Sequence, residues 1–341
     1  MIELIRELVN VHGVTGYEDE IREAIEAKLP DGVEKTVDNL GNLIATLGSG
    51  ESTAIFAAHM DELGMVVAEI RDDGFLRVKS LGGIDPRVMP GRVLRIRTAK
   101  GELKGVLGVK PPHLMGADRS EMKTVVQFED MFVDIGADSG DEARELGVQI
   151  LDSVTFEKTF EILNGKYLSA RGLDDRAGCA VMLEVIRELE DRTLRGKVHF
   201  AFTVQEEAGL RGAELVGHRI EAEYAFAIDT ASSGLAPDAE RAKGPAELGG
   251  GPALRAVDNR LICDPAFVRE VKSVAEENGI PVQVVFTGGS TDVAAIALKG
   301  PKSLPIAFPA RYTHSPVETV SIEDLENTKK LIVALVERYC A

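Results

Sequence analysis

The chain has 341 residues, 44% of them apolar, and a net charge of -17. That length allows one large core or two domains, and the charge balance argues against nucleic acid and anionic membranes, which both reward clustered Lys and Arg. The three cysteines, Cys179, Cys263 and Cys340, are widely separated and form no C-x-x-C pair, which argues against a disulfide framework and a cysteinyl zinc site.

No apolar run reaches membrane-spanning length, and the start Met1-Ile2-Glu3-Leu4-Ile5-Arg6 lacks the basic-then-apolar order of a signal peptide. The expected location is the cytoplasm. Apolar spacings of three and four predict amphipathic helices over Ile2 to Val9 and Glu18 to Leu29. Strands are expected at Val33 to Val37 and Asn42 to Leu47, and a buried one at Ser52 to Ala58 that runs into His59-Met60-Asp61-Glu62.

From Met65 to about Phe160 the texture changes to short runs separated by Gly, Pro and Asp turns, among them Met65 to Ile70, Phe75 to Lys79, Arg92 to Arg97 and Leu103 to Val109. This predicts a small β-rich barrel or sandwich inserted into an α/β catalytic domain. The domain expectation is therefore 1–64 for the first catalytic part, 65–160 for the insertion and 161–341 for the second catalytic part.

The α/β texture then resumes. Leu173-Asp174-Asp175-Arg176 precedes a helix whose Val181, Met182, Val185, Ile186 and Leu189 share one face. Lys197 to Val204 alternates as a strand and ends at Gln205-Glu206-Glu207. A short helix is expected near Arg211 to His218, and a strand Tyr224 to Thr230 with Asp229 at its exit. The long loop that follows, Ala231 to about Pro252, has a length that points to a functional role. A helix over Phe267 to Asn278, strands at Val282 to Phe286 and Leu304 to Phe308, and a closing helix from Ile322 to Tyr339 complete the reading.

Ligand sites in open α/β sheets lie outside the carboxyl ends of strands. The residues at those exits are His59, Asp61, Asp174, Asp175, Glu206, Glu207, Asp229 and His314. Two histidines with several carboxylates suit a pair of divalent ions joined by a bridging acid, and a nitrogen and oxygen donor set without thiolate favours Zn, Co or Mn. His59 and Asp61 fall on one side of an extended segment, so the acid is placed to orient the imidazole. One acid of Asp174-Asp175 is placed to lie between the ions and the other to steady the turn. Glu206 would carry a proton from water to the leaving amine.

His12 and His218 read as surface or capping residues and His199 as a packed strand residue. His113 lies in the insertion, and Asp292 reads as a helix start after Gly288-Gly289. That glycine pair resembles a phosphate loop only weakly, because the lysine is missing.

Val14-Thr15-Gly16-Tyr17-Glu18, Ala58-His59-Met60-Asp61-Glu62-Leu63-Gly64, Lys110-Pro111-Pro112-His113-Leu114, Leu173-Asp174-Asp175-Arg176-Ala177-Gly178, Val204-Gln205-Glu206-Glu207, Gly289-Ser290-Thr291-Asp292 and Arg311-Tyr312-Thr313-His314-Ser315-Pro316 together resemble the tetrahedral (TET-type) aminopeptidases, which include glutamyl and deblocking aminopeptidases. The resemblance runs end to end. It implies a mixed-sheet, zinc-aminopeptidase-like catalytic domain with a β-rich dimerisation domain, and a homo-dodecamer built from dimers. By position, it implies that His59, Asp174 and Asp229 hold one metal, that Asp174, Glu207 and His314 hold the other with Asp174 bridging, that Glu206 is the general base, and that Asp61 orients His59. It also implies a cis bond between Asp174 and Asp175. One departure is Gly250, in Leu248-Gly249-Gly250-Gly251-Pro252, where relatives often carry Lys.

The leading expectation is a metal-dependent aminopeptidase that removes N-terminal residues from short peptides through a hydroxide bridging the two metals. A dimetal carboxypeptidase or N-acyl amino acid deacylase, a two-acid glycosidase and a non-catalytic metal-binding assembly protein are the competing readings. Adjacent Glu206 and Glu207 are poorly placed to flank a glycosidic bond, where the carboxyl groups stand about 5 Å or more apart.

Overall fold

The structure is a computed structural model and describes residues 1–116, 120–237 and 244–341. It divides into two compact units, a large one of residues 1–62, 159–313 and 317–341 and a small one of residues 63–158 and 314–316. The large unit begins with helices α1 (Ile2–Asn10) and α2 (Asp19–Glu26) and strands β1 (Glu34–Val37), β2 (Leu43–Leu47) and β3 (Ser52–His59). The small unit holds β4 (Gly64–Ile70), β5 (Leu76–Leu81), β6 (Val93–Thr98), β7 (Gly101–Leu107), β8 (Val133–Asp134), the short helix α3 (Gly140–Glu145) and β9 (Ser153–Phe156).

The large unit resumes with β10 (Phe160–Leu163), β11 (Tyr167–Ala170), α4 (Leu173–Leu189), β12 (Lys197–Thr203), α5 (Arg211–Arg219) and β13 (Tyr224–Ser232). It ends with β14 (Ala253–Val257), α6 (Pro265–Glu277), β15 (Gln283–Phe286), α7 (Asp292–Ile296), β16 (Lys302–Arg311), β17 (Glu318–Ser321) and α8 (Ile322–Cys340).

Among the described residues the large unit forms one mixed 11-stranded sheet. Its centre, β12-β3-β13-β16, is parallel, and antiparallel strands flank it on both sides. The central strands are buried on both faces, and their residues alternate by size. Phe56, Phe200, Phe202 and Phe226 point to one face and join α1, α2, α4, α6 and α8 in the main core. Phe56 stacks on Phe200 and Phe226 with ring centroids 5.7 and 4.8 Å apart. Ala57, Ala201, Ala225 and Ala227 point to the other face, where α5 and α7 pack. Each buried phenylalanine contributes roughly 1.5–3 kcal/mol, so the aromatic face anchors the sheet.

The small unit is a closed six-stranded barrel, β4-β5-β8-β7-β6-β9, in which every paired strand is antiparallel. Alternate residues such as Met65 and Val67, Leu94 and Ile96 fill its interior. The expected fold class, a mixed-sheet catalytic fold with a small β-rich part, is what the structure shows. Of the two options left open for the small part, the barrel is the one adopted.

Several elements differ from the sequence expectations. β10, β11, β14 and β17 are strands of four or five residues whose pairing partners, rather than their own pattern, define them. β13 does not end at Asp229, because β16 pairs with it through Ala231↔Pro309 and Ser232↔Ala310. Asp229 therefore stands inside a strand. The long loop expected from Ala231 to Pro252 begins after Ser232, and part of it lies outside the described residues.

Candidate active site

The site grows from two strands that stop side by side, since Thr203 of β12 is in register with His59 of β3. Past its end, β3 turns through Met60, whose N–H donates to the Thr203 carbonyl at 2.8 Å. Asp174 arrives from the start of α4, where its backbone and that of Asp175 are not helical, and the bond between them is cis, as the resemblance implied. The Asp175 carboxylate accepts the Gly178 N–H at 3.1 Å and so caps the true beginning of the helix. A Cβ on Gly178 would lie 2.3 Å from that carboxylate, so only glycine leaves room for the cap.

His59 is 2% exposed. Its Nδ1 faces the Asp61 carbonyl at 3.1 Å, and its Nε2 faces Asp174 Oδ1 at 3.2 Å. A neutral ring with its proton on Nδ1 would aim the Nε2 lone pair at a carboxylate oxygen. Either a second proton or a metal cation must sit there. Burial works against a charged imidazolium, yet the hydrogen bonds to Asp174 and Asp61 and the charge of Glu206 hold the His59 pKa well above its usual value.

The acids around it show the complementary imbalance. Burial, and then the charge of Asp174, push Asp229 up to about 7. Burial raises Glu206, with Asp229, Glu207 and Asp292 adding to the effect, and burial and Asp174 raise Glu207. Ligand atoms of His59, Asp174 and Asp229 all lie within 4.8 Å of one another. Imidazole nitrogen and carboxylate oxygens carrying more negative charge than the site neutralises fit a divalent cation.

Asp61 serves the loop more directly than it serves the imidazole. Its carboxylate accepts the N–H of Glu206 at 3.0 Å, the N–H of Glu207 at 3.2 Å and the Thr15 hydroxyl at 2.7 Å. The nearer contact to His59 Nδ1 is the Asp61 carbonyl, and the carboxylate lies 3.5 Å away. Asp174 is steadied from two sides, by the Thr230 hydroxyl on Oδ2 at 3.0 Å and by Glu318, which accepts its N–H at 3.2 Å. Arg171 in turn donates to Glu318 at 3.4 Å.

The large unit thus brings together His59, Asp61, Asp174, Glu206, Glu207 and Asp229. His314 groups with the small unit, where its Nδ1 lies 3.2 Å from the Gly83 carbonyl. The histidines set aside on sequence grounds lie elsewhere: His218 and His113 are exposed, and His199 is buried beside the Thr46 hydroxyl at 3.0 Å. Asp292 does open a helix, but it is also buried, accepts the Thr203 hydroxyl and is pushed up to about 6 by burial. Sequence reasoning assigned no role to Glu18, Thr15, Thr230, Arg171 or Glu318. The first two lie in a quoted motif, and the others carried no local signal.

Residues 41–331 match the M42 glutamyl aminopeptidase family. The chain belongs to that family. Among solved structures it is similar to the Pyrococcus horikoshii TET1 peptidase, described as able to assemble into a tetrahedron or a large octahedral shell, at 45% identity and a TM-score of 0.92 over 98% of each chain. It is 34% identical over 341 residues to the lysyl aminopeptidase of Pyrococcus furiosus, covering 98% of this chain and 96% of that one. It is 30% identical over 346 residues to the glutamyl aminopeptidase of Lactococcus lactis subsp. cremoris, with coverage of 98% and 96%. The resemblance read from the motifs is therefore borne out, and metal dependence accords both with an M42 peptidase and with the His59, Asp174 and Asp229 cluster.

Proposed function

We propose that this M42 peptidase is a metal-dependent aminopeptidase that hydrolyses N-terminal residues from short peptides, with Glu206 as its general base. The observation that carries the reading is the buried grouping of His59, Asp174 and Asp229 within 4.8 Å, in acidic surroundings next to Glu206. His59, Asp174 and Asp229 would hold one ion and Asp174, Glu207 and His314 the other, with Asp174 shared. Two divalent ions, Zn or Co with Mn also admitted, would supply Lewis acidity for the scissile carbonyl and a water acidified toward a pKa of about 7.

The residues of the chain do the rest. Glu206 takes a proton from the attacking water and delivers it to the leaving amine, a role typically worth about 10² to 10⁴ in rate. Burial raises its pKa above the ordinary carboxylate value, which makes it a stronger base toward the attacking water. Asp61 fixes where Glu206 sits, through the backbone N–H it accepts. Relatives named for tetrahedral or octahedral assembly support a homo-oligomer, read here as a dodecamer built from dimers through residues 65–160. Among the described residues no helix is long and apolar enough to cross a membrane, and a cytoplasmic location remains the reading.

The test is Glu206→Gln. Turnover should fall by about 10² to 10⁴ while metal content by elemental analysis stays at the wild-type value. Wild-type turnover in that variant would overturn the assignment of Glu206.

A further inference from the structure

The segment that carries Glu206 belongs to no helix or strand, yet four successive backbone N–H groups are each taken by a side-chain oxygen. Val204 N–H donates to Asn42 Oδ1 at 3.0 Å, Gln205 N–H to Glu18 Oε1 at 3.1 Å, Glu206 N–H to Asp61 Oδ1 at 3.0 Å and Glu207 N–H to Asp61 Oδ2 at 3.2 Å. Consecutive N–H groups gathered this way form a concave nest for oxygens, which needs a residue of left-handed conformation within it. Gln205 is that residue, with φ of +53°, a region that side chains other than glycine's disfavour. Something must hold it there.

Glu18 is placed to do so. It stands just ahead of α2, is 6% exposed, and the same Oε1 that accepts from Gln205 also accepts the Gly16 N–H at 2.6 Å. The Gly16 bond fixes the carboxylate locally, and the Gln205 bond projects that fixed oxygen across 187 residues of sequence onto the catalytic loop. If Gln205 left its left-handed conformation, the peptide plane between Gln205 and Glu206 would rotate and carry the Glu206 side chain with it. Asn42 holds the preceding residue in the same manner and is itself held by Asp38, which accepts its Nδ2 at 2.7 Å.

The geometry points to Glu18 as a positioning residue for the general base, acting through the backbone of Gln205 and not through substrate or metal. This rests on the reading of Glu206 as the proton carrier. The required property is an acceptor oxygen at Oε1 and not the negative charge, so glutamine suffices where alanine does not.

The experiment compares Glu18→Ala, Glu18→Gln and Glu206→Gln with the wild-type holoenzyme, at a temperature below the unfolding of every variant. Misplacing a catalytic group by about 1 Å can cost about 10²-fold. Glu18→Ala is expected to lower kcat 10- to 100-fold with KM within about twofold and metal content unchanged, and Glu18→Gln to restore most of kcat. A merely structural role would lower thermal stability without that split between kcat and KM and without rescue by glutamine. Wild-type kcat in Glu18→Ala, or a loss of activity proportional to lost metal, overturns the inference. An active Glu206→Gln overturns the underlying reading instead. If Glu18→Ala does not fold, Gln205→Val perturbs the same backbone from the other side, because a β-branched residue resists positive φ. It should lower kcat at least tenfold with metal retained, and an unchanged kcat overturns the inference.

Discussion

The two units of this chain bury different things. Among the described residues, the polar side chains buried in the barrel are Thr98, Ser153 and Thr155, all uncharged, within a core of Met, Leu, Val, Ile and Phe. The large unit buries Glu18, His59, Asp61, Glu62, Arg171, Asp174, Asp175, Asp229, Asp292 and Glu318. Burying a charge without compensation is costly, so such a concentration persists only where hydrogen bonds, opposite charges or a metal offset it. The barrel follows the rule for a stable core. The ends of the parallel strands depart from it, and that departure is where the chemistry is proposed to lie.

The comparison breaks most sharply at Asp174. Asp174→Ala removes the proposed shared ligand, so metal content should fall and peptidase activity should drop by at least the 10² to 10⁴ ascribed to the base. Elemental analysis and a rate assay on the same preparation check this, and unchanged stoichiometry would count against the ligand set. The barrel should behave in the opposite way. Ile96→Ala removes a fully buried side chain and should cost about 2–5 kcal/mol of stability, read by denaturant unfolding, while metal content and the kcat of the folded fraction stay unchanged.

A finer effect follows from Glu18, whose pKa burial and then the charge of Asp61 raise from 4.5 to about 7. An acid with a raised folded pKa binds its proton more tightly in the folded state. Stability is therefore highest below the unfolded value and is lost as the pH rises from about 4.5 toward 7. The loss amounts to roughly 3 kcal/mol at most. Glu18→Gln removes this group from titration, so the metal-stripped variant should gain stability relative to wild type as the pH is raised from 5 to 8. A stability difference independent of pH would show that Glu18 does not titrate in this window.

These effects also mark how far the sequence alone could be read. His59, Glu206 and Glu207 stood out as candidates because an apolar strand run, unbroken before His59 and alternating before Glu206, ends abruptly at polar residues, which is a local signal. The small β-rich part was legible from the change of texture near Met65, whereas the parallel order of the central strands comes from pairings distant in sequence. Asp229 reads from the sequence as a strand-end residue but stands inside β13, because the extra length of β13 comes from pairing with β16 and not from its own pattern. Glu318 and Arg171 were not legible at all. Glu318 meets Asp174 from 144 residues away in sequence, and only the pairing of β17 with β11 and β16 places it there. Glu18 lay inside a quoted motif, but its partner is a backbone N–H, which leaves no trace in side-chain spacing.

The central claim is that the buried acids and His59 exist to hold divalent metal for attack on free-amine peptides. The most direct measurement is chromophore release from a panel of aminoacyl anilides by the chelator-stripped protein, titrated with Zn, Co or Mn. The account predicts no activity after stripping, recovery with added metal, and no turnover of N-acylated counterparts. Activity that survives stripping, or that returns only on the N-acylated substrates, would contradict it.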